Sequence, residues 1–320
     1  MRALITGGAG FIGSHLADEL ITSGSDVVVL DDLSTGRFNN IAHLDGNKKF
    51  IFVEGTILNE SLVDKLVEKS DVVYHLAAAV GVDLIVKKPL ESLVTNIKGS
   101  EVVLDMVHRY HKKVLITSTS EIYGKNANGP LKEEDDRILG SPLKARWGYS
   151  TAKAVDEMLA YIYWREKKVP SVIVRLFNTV GPRQTGAYGM VIPRFVEQAL
   201  KGEDMTVYGN GRQSRCFLHV KDAIGALIKL MSNEKAVGQV FNIGSQEEIT
   251  IEDLAKKVIE ITKSKSRIMY IPYDKAYEEG FEDMQRRVPD TAKAKQAIDF
   301  ESTMDLKGII ESVVDYCKKA

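Results

Sequence analysis

Short apolar runs rich in valine and isoleucine recur along the first half of the chain, separated by stretches whose apolar residues fall at helical spacing. The runs Arg2–Thr6, Val27–Leu30, Phe50–Val53, Val72–Leu76, Lys113–Thr117 and Ser171–Leu176 predict strands. The stretches Phe11–Ser23, Ser61–Glu68, Leu90–Tyr110 and Tyr149–Lys167 predict the helices between them. Strands this uniformly apolar need cover on both faces, so the alternation predicts an α/β fold with a doubly wound parallel sheet. Past Asn178 the texture changes. Gly181-Pro182-Arg183 and Gly209-Asn210-Gly211-Arg212 flank a helical stretch, Ile192–Lys201. A helix follows at Lys221–Met231, a strand at Val240–Ile243, and helices at Ile251–Thr262 and Asp305–Tyr316. The pattern divides the chain into a sheet domain, residues 1–177 plus about 213–243, and a smaller, partly interleaved α/β domain, about 178–212 plus 244–320.

Composition narrows the class. The 320 residues are 44% hydrophobic and 27% charged, the balance of an ordinary globular protein. With a formal net charge of -1, no whole-protein field draws the chain to nucleic acid or an anionic membrane. Any anionic ligand must therefore be held by local arginines and helix ends. Met1-Arg2-Ala3-Leu4-Ile5-Thr6 runs straight into glycines, with no signal-peptide pattern, and no apolar run approaches the ~20 residues of a membrane span. Cys216 and Cys317 lie far apart with no metal spacing, which fits a reduced, cytoplasmic setting. His108 and His111 share a helix face without a carboxylate partner and read as solvated side chains, so no metal is expected.

The strongest local signal is the first turn. Strand Arg2–Thr6 leads into Gly7-Gly8-Ala9-Gly10-Phe11-Ile12-Gly13 and then a helix. Such glycines let backbone N–H groups approach a pyrophosphate seated at the helix's positive end. The next strand ends in Asp31, 18 residues after Gly13, where a carboxylate takes ribose hydroxyls. This is a Rossmann dinucleotide fingerprint. A carboxylate there repels a 2′-phosphate, so NAD is the expected cofactor, and Arg37 nearby reads as a solvated loop residue.

The second signal is Tyr149-Ser150-Thr151-Ala152-Lys153, a tyrosine and a lysine on one helix face. A neighbouring ammonium stabilises a phenolate whose ordinary pKa is about 10. Tyr149 is accordingly read as a general base on a sugar hydroxyl while hydride passes to the cofactor. Thr117-Ser118-Thr119-Ser120-Glu121-Ile122-Tyr123-Gly124 follows a core strand, at the sheet end where ligands sit, and its hydroxyls suit a polyol.

Together with Tyr74-His75-Leu76-Ala77-Ala78, Asn96, Arg175-Leu176-Phe177-Asn178, Gly181-Pro182-Arg183 and Arg287-Val288-Pro289-Asp290, these motifs resemble the extended short-chain dehydrogenase/reductases that modify sugar nucleotides. The resemblance covers nearly the whole chain. It implies that Thr119, Tyr149 and Lys153 form the catalytic triad, with Glu121 and Ser120 beside them. It implies a cofactor site of Gly7, Gly10, Phe11, Ile12, Gly13, Asp31, Leu76, Ala77, Ala78 and Asn96, the last near the nicotinamide. It also implies that Asn178, Arg215 and Arg287 hold the nucleotide diphosphate, with Val191 at the base. The family often has an aspartate for the adenine amino group after the third strand; here Thr56 stands in that place.

Thr119-Ser120-Glu121 bears on the reaction. Serine is a poor acid, which counts against dTDP-glucose-type dehydration, and a glutamate at 121 is unusual for UDP-galactose-type 4-epimerases. The triplet resembles UDP-glucuronate decarboxylases, as does Arg215-Cys216-Phe217; in that chemistry a nearby acid, Glu121, protonates C5. Decarboxylation is the expectation, with 4-epimerisation of a UDP-sugar next and 4,6-dehydration third. The apolar residues Val94, Val102, Val103, Met106, Val155, Met158, Leu159 and Ile162 on two helices match the resembling family's four-helix contact, implying a homodimer.

Overall fold

The computed structural model describes residues 1–79, 88–186, 190–276 and 284–319. In chain order the elements are β1 (Arg2–Thr6), α1 (Phe11–Thr22), β2 (Asp26–Asp31), β3 (Phe50–Glu54), α2 (Glu60–Glu68), β4 (Val72–His75), α3 (Pro89–Arg109), β5 (Lys113–Thr119), α4 (Gly148–Lys167) and β6 (Ser171–Leu176). There follow β7 (Thr179–Val180), α5 (Val191–Lys201), β8 (Met205–Tyr208), β9 (Ser214–Cys216), β10 (Leu218–His219), α6 (Val220–Ser232), β11 (Val240–Ile243), β12 (Glu248–Thr250), α7 (Ile251–Thr262), β13 (Ile268–Ile271), β14 (Arg286–Arg287), α8 (Ala292–Ile298) and α9 (Leu306–Lys319).

The central sheet has seven strands in the order β3-β2-β1-β4-β5-β6-β11. Every pairing in it is parallel. Because side chains alternate across a strand, β1 feeds two separate cores. Ala3 and Ile5 pack with residues of α1 and α6, whereas Leu4 packs with residues of α2 and α3 on the opposite face. This is the doubly wound Rossmann sheet that the apolar strands predicted.

The smaller lobe has its own core, drawn from α5, β8, α7 and α9. Its strands β8, β9, β12, β13 and β14 lie outside the predicted set, because each is only two to four residues long and pairs with a distant segment. The chain crosses between lobes more often than the pattern suggested. Ala294 and Phe300, assigned from sequence to the smaller domain, are buried in the α1–α6 core of the larger one. Arg215 of β9 pairs with Ile249 and Arg287, joining the smaller lobe's sheet. Among the described residues no helix is long and apolar enough to cross a membrane, and no group of metal-ligating side chains forms.

Candidate active site

After β1 the chain winds to β2 and β3 on one side, then returns to place β4 on the other. The reversal leaves a crevice beyond the carboxyl ends of β1 and β4. A cavity of about 750 Å³ opens there and extends to the smaller lobe.

At one end lies the glycine loop. Gly7 has φ +73°, its amide donates to the Leu30 carbonyl at 2.8 Å, and a Cβ on it would sit 2.7 Å from the Ala77 amide nitrogen. A Cβ on Gly13 would sit 2.3 Å from the Gly7 carbonyl oxygen. α1 begins at Gly10 with no side-chain cap, so Phe11, Ile12 and Gly13 present first-turn amides at the cavity wall. Asp31 ends β2 on the same wall, its carboxylate accepting from the Ala9 and Leu33 amides, both at 2.9 Å. Burial pushes the pKa of Asp31 up despite those bonds. Asn40, which sequence reasoning missed, donates from Nδ2 to the Ala9 carbonyl at 2.9 Å and fixes the loop from outside. Leu76, Ala77 and Ala78 form the facing wall. A loop without room for side chains, an uncapped helix start and an acid at the next strand end fit a dinucleotide.

Two expected cofactor residues stand differently. Asn96 is buried behind the wall, accepting from the Ala79 amide at 2.7 Å and donating to the Ala79 carbonyl at 3.3 Å, so it shapes the backbone rather than lining the cavity. Thr56 is likewise absent from the lining; its hydroxyl accepts from the Leu58 amide at 3.3 Å, while Gly55 and Ile57 face the cavity.

The far end gathers Thr119, Ser120, Glu121, Tyr149, Lys153, Asn178, Val191, Arg215 and Arg287 around one space. Thr119 closes β5, its hydroxyl accepting from the Glu121 amide at 3.2 Å, and is hydrogen-bonded to the buried Tyr149. Glu121 lies between guanidiniums. Both its oxygens are taken by Arg146, from Nη1 to Oε2 and from Nη2 to Oε1 at 3.1 Å, and Arg287 Nη1 lies 3.5 Å from Oε1. Burial opposes its charge, but the charges of Arg146 and Arg287, the Arg146 hydrogen bond and Arg215 together bring its pKa down to about 2. Asn178, in a left-handed conformation at φ 27°, donates to the Cys216 carbonyl at 2.8 Å and accepts from Arg287 Nη2 at 2.7 Å. Val191 opens α5; nearby, the guanidinium of Arg194 lies 4.2 Å from the centre of the Tyr208 ring, and both residues line the cavity. Phe195, one turn further along α5 from Val191, is fully buried in the smaller lobe's core.

Lys153, expected beside Tyr149, also has a partner that the sequence did not indicate: its Nζ donates to Asp156 Oδ2 at 2.8 Å, both side chains being almost wholly buried. Burial first, and then the charges of Glu121 and Asp156, push the Tyr149 pKa above its ordinary value, opposed by the Thr119 hydrogen bond. Arg146 and Asp156, the two charges that most change this end of the site, carried no sequence signal. Arg146 meets a partner 25 residues away, and Asp156 sits among other helix charges.

Comparison with known proteins now places the chain. It belongs to the family described as GDP-mannose 4,6 dehydratase, whose profile matches residues 4–313, within the extended short-chain dehydrogenase/reductases. It is an NAD-dependent enzyme of nucleotide-sugar modification. Among its relatives, the UDP-N-acetyl-alpha-D-glucosaminuronate decarboxylase of Bacillus cytotoxicus is 40% identical over 319 residues, covering 99% of this chain and 98% of the relative. UDP-glucuronic acid decarboxylase 1 of Danio rerio is 35% identical over 98% of this chain and 72% of its own. The crystal structure of UDP-glucuronic acid 4-epimerase from Bacillus cereus, in complex with UDP-glucuronic acid and NAD, matches with a TM-score of 0.90 at 30% identity, covering 100% of this chain and 99% of that one.

Proposed function

We propose that the chain decarboxylates a UDP-hexuronate, UDP-glucuronate or its 2-acetamido counterpart, through a transient 4-keto sugar. The observation that carries this is Glu121 set between Arg146 and Arg287 at the sugar end of the cavity. Two guanidiniums sharing one protein carboxylate leave positive charge for a second carboxylate, the C6 group of a hexuronate, and a neutral hexose has no use for it. The names of the B. cytotoxicus and D. rerio relatives support the same chemistry.

Bound NAD supplies the hydride acceptor at C4. Tyr149, oriented by Thr119, takes the proton of the 4-hydroxyl. The resulting 4-keto acid breaks its C5–C6 bond: carbon dioxide leaves, and the electron pair becomes the C4–C5 enolate. A proton delivered to C5 gives the 4-keto pentose; return of the hydride to C4, with Tyr149 giving its proton back to the 4-oxygen, completes the UDP-pentose. Despite its burial, the charges of Arg146 and Arg287 hold the Glu121 carboxyl well below its usual range in the resting site, so its role here is to orient a water that delivers the proton to C5. Ser120, buried beside it, supplies a hydroxyl and not an acid. Asn178 and Arg215 hold the diphosphate side, and Arg287, bonded to both Glu121 and Asn178, stands between it and the C6 end.

4-Epimerisation is the second reading, supported by the likeness to the B. cereus epimerase. An NMR time course with UDP-glucuronate, then UDP-N-acetylglucosaminuronate, separates the two. Loss of the C6 carboxylate is expected; a 4-epimer retaining it would overturn decarboxylation. A cytoplasmic homodimer completes the proposal. Val94, Met158 and Ile162 stand 43%, 60% and 38% exposed on α3 and α4, whereas Val102, Val103 and Met106 are core. A monomeric mass by light scattering would refute the dimer.

A further inference from the structure

Lys153 and Asp156 form a buried ion pair on α4, the helix that carries Tyr149. Lys153 is 2% exposed and Asp156 0%, and their side chains meet at 2.8 Å within one turn of α4. Asp156 Oδ1 is buried with no hydrogen-bond partner. Burying two charges is costly even when they are paired, and an apolar pair of similar volume would serve packing as well. The lysine's other surroundings do not explain its place. It lines the cavity, and the nearest basic group beneath it, His75, is kept neutral: burial first, and then the Lys153 charge, bring its pKa down to about 3, while its ring nitrogens bond Thr6 and Ser100.

We propose that Asp156 is a positioning residue for the reaction: it fixes where the Lys153 ammonium stands and how much of that charge reaches the Tyr149 hydroxyl. An ammonium has three donors. Asp156 takes one and leaves the other two for the cavity that Lys153 and Tyr149 both line, where bound NAD would offer its ribose hydroxyls as acceptors. Its negative charge also offsets the ammonium, so the tyrosine is held as a protonated acid for the return step as well as released as a base for the first. The inference rests on Tyr149 serving as the base, but on no particular sugar.

Among the described residues, Glu121 faces Tyr149 from the turn after β5, and its arginine partners come from the turn before α4, Arg146, and from β14, Arg287. His75 comes from β4, and Lys153 and Asp156 from α4 itself. The buried polar residues of α3, namely Ser92, Asn96 and Ser100, are neutral. On β6, Arg175 is paired with Glu157. Among the described residues, Asp156 and Glu121 are the carboxylates that disfavour the phenolate, and removal of Asp156 leaves the Glu121 cluster intact.

The test is the pH profile of turnover in Asp156→Asn, on whichever nucleotide sugar the enzyme converts, with NAD affinity measured separately by calorimetry. Asparagine keeps a hydrogen-bond acceptor and deletes the charge. The acid limb of kcat is expected to move to lower pH by about one unit, and Asp156→Glu, which keeps the charge, is expected to restore its position while weakening NAD binding. A limb that stays in place in Asp156→Asn, with kcat lowered uniformly, would reduce Asp156 to a structural residue. Should Asp156→Asn fail to fold, Asp156→Glu carries the test alone, and an NAD affinity unchanged from the parent would overturn the positioning role. Failure of the decarboxylase reading changes which substrate is used and leaves both readouts standing.

Discussion

The two ends of the cavity are built on different principles. The dinucleotide end is a backbone object: Gly7 and Gly13 are there because nothing larger fits, and what it presents to the cavity is the start of α1 with no side-chain cap. The other end is a side-chain object, in which Glu121 pairs with Arg146 and Arg287, and Lys153 with Asp156, across 25, 166 and three residues of sequence. A backbone site tolerates no change of shape. An ionic site tolerates shape but not the loss of one partner, because the other is left buried and uncompensated.

The largest effect should come from breaking the backbone end. Gly7→Ala must adopt a left-handed conformation and press a methyl onto the Ala77 amide. The strain should cost at least about 2 kcal/mol of stability, and the purified protein should carry no NAD. Cofactor content by absorbance together with a thermal melt checks this, and a variant that retains NAD at parental stability would remove the steric argument.

The next contrast separates charge from shape at the sugar end. Glu121→Gln should lower kcat by about 100-fold, with the NAD Kd changed by no more than about twofold because the glycine loop lies apart from it. Arg146→Met tests the clamp through stability. A carboxylate held near 2 against an ordinary 4.5 favours folding above that ordinary value, and the benefit fades as pH falls toward 2. The melting temperatures of parent and Arg146→Met should therefore differ fully at pH 5–7 and converge toward pH 2. A gap independent of pH would mean that the arginine packs but does not hold the charge.

The same division explains what the sequence could tell. Strands such as Val27–Leu30 and the helix after Gly10 declare themselves by local pattern, and Asp31 by its spacing from Gly13, because each is fixed by residues nearby in the chain. Thr119, Glu121, Tyr149 and Lys153 were legible as chemistry-bearing residues at a strand end and a helix face. Their state was not. That Lys153 has Asp156 for a partner depends on which way a buried side chain turns, and Arg146 reaches Glu121 only through the tertiary fold. The short strands around β9 were hidden for a related reason, since three residues carry too little periodicity to show.

The smallest effect is expected at Thr56, where the comparison between the two ends is sharpest. The hydroxyl stands one residue from Gly55 and Ile57, both of which face the cavity, yet it is spent on the Leu58 amide at 3.3 Å. If the dinucleotide end is read by backbone and by Asp31, then Thr56→Ala should shift the NAD Kd by less than about twofold, and the lost turn contact should cost about 0.5–1 kcal/mol of stability. Calorimetric titration beside a denaturant curve measures both. An affinity loss of tenfold with unchanged stability would return Thr56 to the adenine pocket, and would mean that its side chain leaves the Leu58 amide when the cofactor binds.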